Sequence, residues 1–334
     1  MKMRSRQTIK GPRFEIQNYM THTFGEEIAR DVFKGLTSNQ KFIPSKYFYD
    51  ERGSLLFEEI CRLPEYYQTR TELSILEENA EEIMESFDCG DLVEMGSGAN
   101  WKICRLIDAA NKQGENVRYV PVDMSKSALV AASEDLICKY PKLNILGMVA
   151  DFTCHMDRIP KDRSKLIILF GSTIGNFDEV ESRSLLRSVA GSMNPDDRFL
   201  IGLDMIKQKD VLENAYNDSE GVTCKFNKNA LFVINRELNA NFDPDLFDHL
   251  AFFNEEKERI EMHLLAKKEI SVEVEDLDLS VTFEKGETIH TEISRKFSEA
   301  SATRMFSDAN LAVEQWFFDP HDWFSLAKLS RSDL

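Results

Sequence analysis

The sequence predicts an α/β chain: a doubly wound parallel sheet closed by a terminal antiparallel hairpin, with a second unit built outside that sheet. Three observations carry this. Between Asp91 and Asp204, short apolar runs alternate with helix-patterned stretches, the rhythm of parallel strands joined by helical crossovers. The runs are nearly continuous in apolar residues, as in Lys165–Phe170, which suits strands covered on both faces. The C-terminal stretch then holds a helix at Phe297–Ser307 and two strands, Leu311–Phe318 and Trp323–Leu329, joined by an Asp319-Pro320-His321 turn.

The elements follow in order. Gly25–Leu36 and Gly53–Leu63 read as helices on either side of an aromatic stretch, Lys46-Tyr47-Phe48-Tyr49-Asp50. Thr71–Ser86 is acidic with apolar residues at Leu73, Leu76, Ile83 and Met84, a helix with Thr69 or Thr71 as its cap. Strands follow at Asp91–Met95, Val117–Val122, Ile145–Val149, Lys165–Phe170 and Phe199–Asp204, with helices after the first (through Ala110) and the second (Ser125–Lys139). From Lys207 to Arg295 the character changes. Ala215–Ser219 and Lys225–Leu238 read as helices, and Glu258–Ala266, Ile270–Val274 and Leu279–Phe283 as strands.

The chain has 334 residues, 41 Lys+Arg against 58 Asp+Glu, and a formal net charge of −17. That sign disfavours nucleic acid and anionic membrane surfaces as partners and favours a small molecule. Leu166–Phe170, the longest apolar run, is far too short to cross a bilayer. Six scattered cysteines without a CxxC suggest a reduced, cytoplasmic chain. The six histidines show no HxH or HExxH spacing, so no metal is expected. The basic first residues (Lys2, Arg4, Arg6, Lys10, Arg13) lack the apolar core of a signal peptide and read as a frayed tail.

The chemistry begins at Glu94-Met95-Gly96-Ser97-Gly98, directly after a strand. Glycine lets the backbone turn sharply and approach a ligand closely. A dinucleotide fingerprint needs a third glycine where Trp101 stands. An acid followed by Gly-x-Gly matches the motif of S-adenosylmethionine-dependent methyltransferases better, and the terminal hairpin is the usual ending of their sheet. Taken alone the motif is also compatible with a plain strand-turn-helix. Asp123, at the next strand end, suits a ribose diol and a cationic sulfonium. Asp151-Phe152, after the third strand, offers an acceptor for an adenine amino group beside an aromatic face. Lys102 suits the methionine carboxylate. Gly171-Ser172-Thr173-Ile174-Gly175-Asn176 follows the fourth strand, with close backbone approach at Gly171 and an amide at Asn176. It lacks the Asp-Pro-Pro-Tyr and Asn-Pro-Pro-Tyr loops of base methylation.

Phe48-Tyr49-Asp50-Glu51-Arg52-Gly53-Ser54, Tyr66-Tyr67-Gln68-Thr69-Arg70-Thr71-Glu72, Gly171–Asn176 and Phe226-Asn227-Lys228-Asn229 together resemble the histidine-specific Nα-methyltransferases of ergothioneine biosynthesis, from about residue 24 to the end. The resemblance implies a Rossmann-like class I methyltransferase domain (70–206 and 297–334), a discontinuous substrate-binding domain (24–69 and 207–296) and a tail (1–23). It implies an S-adenosylmethionine site at Glu94, Gly96, Gly98, Lys102, Asp123, Asp151 and Phe152. Tyr66, Asn176 and Tyr216 would clamp the amino acid, Gly171 would lie beside it, and Tyr49 and Asn176 would orient the reacting amine. Glu292-Ile293-Ser294 matches a Glu-x-Ser that reads the imidazole, and Met262 a methionine lining that pocket. If the segment is extended, Glu292 and Ser294 share a face; without the resemblance it would be an exposed strand edge. The implied reaction is trimethylation of L-histidine to hercynine by a monomer. The rivals are an enzyme for another amino acid, a non-catalytic binder of S-adenosylmethionine or histidine, and an NAD-linked oxidoreductase.

Overall fold

The computed structural model describes residues 8–10, 13–20, 24–85 and 90–332. The chain divides into two compact units. One contains the N-terminal strands, Arg70–Met205 and Phe297–Leu334; the other contains His22–Thr69 and Ile206–Lys296.

The first unit holds strands β1 (Thr8–Lys10), β2 (Phe14–Asn18), β3 (Asp91–Met95), β4 (Arg118–Asp123), β5 (Asn144–Val149), β6 (Lys165–Leu169) and β7 (Arg198–Asp204). They lie in the order β1-β2-β5-β4-β3-β6-β7, and the terminal hairpin completes a nine-stranded sheet. Its Phe324–Arg331 strand pairs antiparallel with β7, and Leu311–Phe318 forms the edge. β2 through β7 run parallel. Every residue of β3 and β6 is buried: the apolar residues suit strands covered on both faces, and the charged Asp91, Glu94 and Lys165 are each held by a partner, Arg118, Tyr119 and Asp197. The chain leaves β3 toward β4 and β5, then returns to lay β6 on the other side of β3. That reversal opens a crevice at the carboxyl ends of the strands. This is the class I methyltransferase sheet.

Two local expectations are corrected here. The reading of the basic first thirteen residues as a frayed tail fails at β1, which pairs with β2, and the tail expected over 1–23 is not separate from the sheet: Phe14-Glu15-Ile16-Gln17-Asn18 alternates apolar and polar residues and adds in parallel to β5, and Ile16 packs on Leu129 and Val149. Lys2, Arg4 and Arg6 lie outside the described residues. The helix expected at Thr71–Ser86 runs Tyr67–Glu85, so Thr69 and Thr71 sit inside its first turns and do not cap it.

In the second unit, the helix expected at Ala215–Ser219 instead lies at Lys209–Asn214, and residues 215–219 form turns. The reason is Asp218, whose carboxylate accepts the Val222 and Thr223 N–H groups, each at 2.7 Å. It thereby starts the next helix at Val222 rather than Lys225, and that helix runs to Leu238. Its inward face carries Phe226, Ala230, Leu231, Val233 and Ile234. Helices Phe24–Leu36 and Glu51–Ile60 complete the helical part. Strands β8 (Phe247–Asn254), β9 (Arg259–Ala266) and β12 (Thr288–Arg295) form an antiparallel sheet in the order β12-β9-β8, and β10 (Ile270–Val274) pairs with β11 (Leu279–Phe283).

Candidate functional site

In the first unit, the expected cofactor residues gather at the carboxyl ends of β3, β4 and β5. Glu94 is 5% exposed and accepts a hydrogen bond from the Tyr119 hydroxyl. Burial pushes its carboxyl up to about 7 against that bond and the nearby Lys102 charge. Gly96 turns the chain at φ +70°, and a Cβ there would meet the Phe152 ring edge at 3.6 Å. A Cβ at Gly98 would meet nothing within 4 Å. Ser97 Oγ and Asn100 Oδ1 in this loop are buried without a hydrogen-bond partner. Orphaned polar atoms beside open space suit a polar ligand. Asp123 uses Oδ1 to accept the Ser125 N–H at 2.8 Å, and burial lifts its carboxyl to about 6 against that backbone bond. Asp151 spends Oδ1 on the Thr153 N–H and hydroxyl at 2.8 and 2.6 Å, and Phe152 stands edge-on to Phe177. These residues fit S-adenosylmethionine.

Beyond β6, Gly171 and Ser172 both adopt left-handed backbone, at φ +73° and +54°. The Ser172 hydroxyl accepts the Asp204 N–H at 2.9 Å, which ties this strained turn to the end of β7. Asn176 ends the short Thr173–Asn176 helical turn that follows. The Gly171 N–H points to Glu72, a fully buried carboxylate 2.5 Å from Lys102 Nζ. Lys102 therefore reaches the loop as a member of an ion pair, with donors left for a second anion.

In the second unit, a chain of rings links the expected substrate residues. Tyr49 and Phe57 centroids are 5.5 Å apart, Phe57 and Tyr66 6.2 Å, and Tyr66 and Tyr216 6.3 Å. Tyr216 donates to Ser294 Oγ at 2.8 Å. Tyr49, 42% exposed, is held through its neighbours: Asn229 Nδ2 donates to Phe48 O at 2.9 Å and to Asp50 Oδ1 at 2.7 Å. Burial, with the Tyr216 phenol and Glu292 nearby, raises Tyr66 well above the usual phenol range and keeps it neutral.

The Glu292–Ser294 segment lies on β12, and its facing depends on a bulge. His290 pairs with His263, but the register then slips, so that Glu292 pairs with Met262 and Ser294 with Ile260. Thr291 is the extra residue. Glu292, Ser294 and Met262 thus share the face that carries Ile260 and Leu264, while His290 faces the other way. Burial drives the Glu292 carboxyl up to about 8, with Lys296 pulling against it.

On that opposite face Glu261, His263 and His290 bring potential metal donors within 4.8 Å, the one such group among the described residues. Sequence spacing could not show it, since the histidines come from different strands. The imidazoles stack with centroids 4.7 Å apart and planes 21° from parallel, and Arg259 holds the Glu261 carboxylate at 2.7 Å. Ring lone pairs lie in the ring plane, so these run side by side rather than converge on an ion.

A family model described as histidine-specific methyltransferase, SAM-dependent, matches residues 28–331. The chain belongs to this family. It is 40% identical to the histidine N-alpha-methyltransferase of Mycolicibacterium smegmatis, over 93% of this chain and 98% of that one. It is 31% identical to ergothioneine biosynthesis protein 1 of Schizosaccharomyces pombe, over 69% of this chain and 31% of that longer protein. It is 27% identical to the 4-dimethylallyltryptophan N-methyltransferase ifgB of Penicillium roqueforti, over 88% of this chain and 91% of that one. This histidine-specific methyltransferase keeps Tyr49, Tyr66, Tyr216, Met262, Glu292 and Ser294 within one unit. The other unit holds Glu94, Gly96, Gly98, Lys102, Asp123, Asp151, Phe152, Gly171 and Asn176. Sequence reasoning missed Glu72, Asn229, Gln68 and Lys296 as supports of these residues. Glu72 and Gln68 stand in the Tyr-Tyr-x-Thr-Arg-x-Glu string and Asn229 in Phe-Asn-Lys-Asn, so the motifs contained the signal; Lys296 had none. Among the described residues no helix is long and apolar enough to cross a membrane.

Proposed function

We propose that the enzyme transfers methyl groups from S-adenosylmethionine to the α-amine of L-histidine three times, giving hercynine, the first step of ergothioneine biosynthesis. The observation that carries the reading is the bulge that sets Glu292 and Ser294 on the same face as Met262. One carboxylate and one hydroxyl at that spacing address the two nitrogens of an imidazole. A tryptophan-like substrate offers only one ring N–H. The identity to a relative named histidine N-alpha-methyltransferase supports the same substrate.

S-adenosylmethionine supplies an electrophilic methyl group for in-line displacement by a neutral amine. The chain's own residues bind and orient. Tyr66, Tyr216 and Asn176 hold the amino acid, Gly171 lies beside it, and Tyr49 with Asn176 aims the nitrogen lone pair. Asp123, Asp151, Phe152, Lys102, Glu94 and the Gly96–Gly98 turn hold the methyl donor. Positioning and exclusion of water supply most of the rate. The first two transfers each release a proton and the third, onto a tertiary amine, releases none. The chain works as a cytoplasmic monomer without a resident metal, and its charge of −17 is in keeping with the lack of a nucleic-acid partner.

The test is incubation of the purified protein with S-adenosylmethionine and an equimolar panel of the proteinogenic amino acids, read by mass spectrometry. Histidine gaining three methyl groups, with loss of that product in Glu292→Ala, is the expected result. Methylation of another amino acid would overturn the pocket reading, and cofactor binding without any transfer would overturn the enzyme reading.

A further inference from the structure

Ser294 sits at the end of a hydrogen-bond chain in which the Tyr216 hydroxyl donates to it. The Tyr216 hydroxyl oxygen receives Lys296 Nζ at 3.2 Å and Gln68 Nε2 at 3.3 Å. A phenol oxygen has two lone pairs and one hydrogen. With both lone pairs engaged, the hydrogen goes to Ser294 Oγ, 2.8 Å away. Ser294 Oγ also accepts from Lys296 Nζ at 2.8 Å. Its own lone pairs are then both engaged, and its one hydrogen has to point elsewhere. Lys296 and Ser294 are 2% and 5% exposed, so bulk water does not offer an easy alternative.

We propose that Lys296 and Gln68 are positioning residues that make Ser294 a hydrogen-bond donor to one ring nitrogen, so that the pocket takes histidine as a neutral imidazole in a single tautomer. This rests on the reading that Glu292 and Ser294 address the ring. A neutral imidazole has one N–H and one lone pair, which match an ionised Glu292 carboxylate, the form that burial leaves it above about pH 8, and the Ser294 donor. An imidazolium has two N–H groups, and one of them would meet the Ser294 hydrogen. The wrong tautomer would set a lone pair against the Glu292 carboxylate and an N–H against Ser294. A buried mismatch of this kind leaves polar groups unpaired, which is why a hydrogen-bonding site discriminates so strongly. Lys296 acts through Ser294 and Tyr216.

The experiment is nitrogen NMR of ring-labelled L-histidine bound to the full chain at about pH 9, where Glu292 is ionised, with S-adenosylhomocysteine present so that no methyl transfer occurs. In the wild type one ring nitrogen should show the shift of an N–H and the other that of a bare lone pair. Lys296→Met frees Ser294 to accept, and that pattern should give way to shifts averaged over tautomers or to imidazolium. Gln68→Met should move the spectrum in the same direction, and it guards against a Lys296 variant that fails to fold. Both ring nitrogens protonated in the wild type, or one unchanged tautomer in both variants, would overturn the proposal. A bound ring with the shifts of free histidine, unaltered by Glu292→Gln, would instead remove the underlying pocket reading.

Discussion

Glu72 accepts the backbone N–H of Gly171 with both carboxylate oxygens, at 2.9 and 3.0 Å, although 99 residues separate them. The same carboxylate pairs with Lys102, and a side chain at Gly202 would collide with Glu72 Oε1. One buried acid therefore connects the turn after β6 with the helix that follows the Gly96–Gly98 loop.

Removing that charge should be costly. Glu72→Gln leaves Lys102 without its counter-ion in a largely buried place and sets an amide NH₂ near the Gly171 N–H. The expected loss is about 3 kcal/mol, at the lower end for a broken buried pair because Lys102 keeps some solvent contact. Urea unfolding of the purified proteins measures it. A loss under about 1 kcal/mol would mean the pair is effectively solvated.

Gly171→Ala asks a different question. At φ +73° an added Cβ meets Lys102 Nζ at 3.5 Å and Thr173 Oγ1 at 3.7 Å, both ordinary contacts, so there is room and the cost is the left-handed backbone itself. That should be about 1–2 kcal/mol, accompanied by a fall in kcat as the turn relaxes. Stability equal to wild type would show that the turn reaches another backbone conformation without strain.

The Glu292 carboxyl, raised by burial to about 8, makes stability depend on pH. Between about 4.3, the ordinary carboxyl value, and about 8, the folded state holds a proton that the unfolded state has lost. Stability from this group is therefore highest below that window and falls as pH rises through it. Glu292→Gln cannot ionise, so its melting temperature relative to wild type should climb from pH 4 to pH 9. Parallel melting curves for the two proteins across that range would refute the assignment.

Asp50 supports Tyr49 from the neighbouring position. Its carboxylate accepts the Gly53 N–H at 2.9 Å, capping Glu51–Ile60, and also Asn229 at 2.7 Å and Arg236 at 2.7 Å. Burial opposes ionisation, but these donors, Arg236 foremost, hold its pKa below the usual value. Asp50→Ala should cost about 1–2 kcal/mol and raise KM for histidine through a loosened Tyr49. The stabilising contribution is present above the ordinary Asp range and lost as pH falls through the lowered folded value, so the two proteins should converge in stability in acid. A KM equal to wild type would separate the cap from the site.

What the sequence determined by itself was largely local in origin. The largely apolar runs of β3 and β6 specify buried parallel strands, and the glycines and acids just after the strands fall at one end of the sheet because parallel strands all finish there. That is why Gly96, Asp123, Asp151 and Gly171 are legible as a group from the amino-acid order alone. The helix expected at Ala215–Ser219 fails for an equally local reason, because Asp218 caps a helix that propensity starts later.

Tertiary structure decided what depends on pairing partners far along the chain. The period-2 reading put Glu292 and Ser294 together, but only the slip at Thr291 turns them to the Met262 face and His290 away from it. A bulge is specified by two strands in register, and neither strand contains it alone. The same reason hid the Glu72–Gly171 bond and the Gln68–Tyr216–Ser294–Lys296 chain. Apart from Ser294 and Lys296, these hydrogen bonds join residues that only the finished fold brings within 3.5 Å of one another, and between the Tyr216 and Ser294 hydroxyls it is the surrounding donors, not the residue types, that set which atom donates.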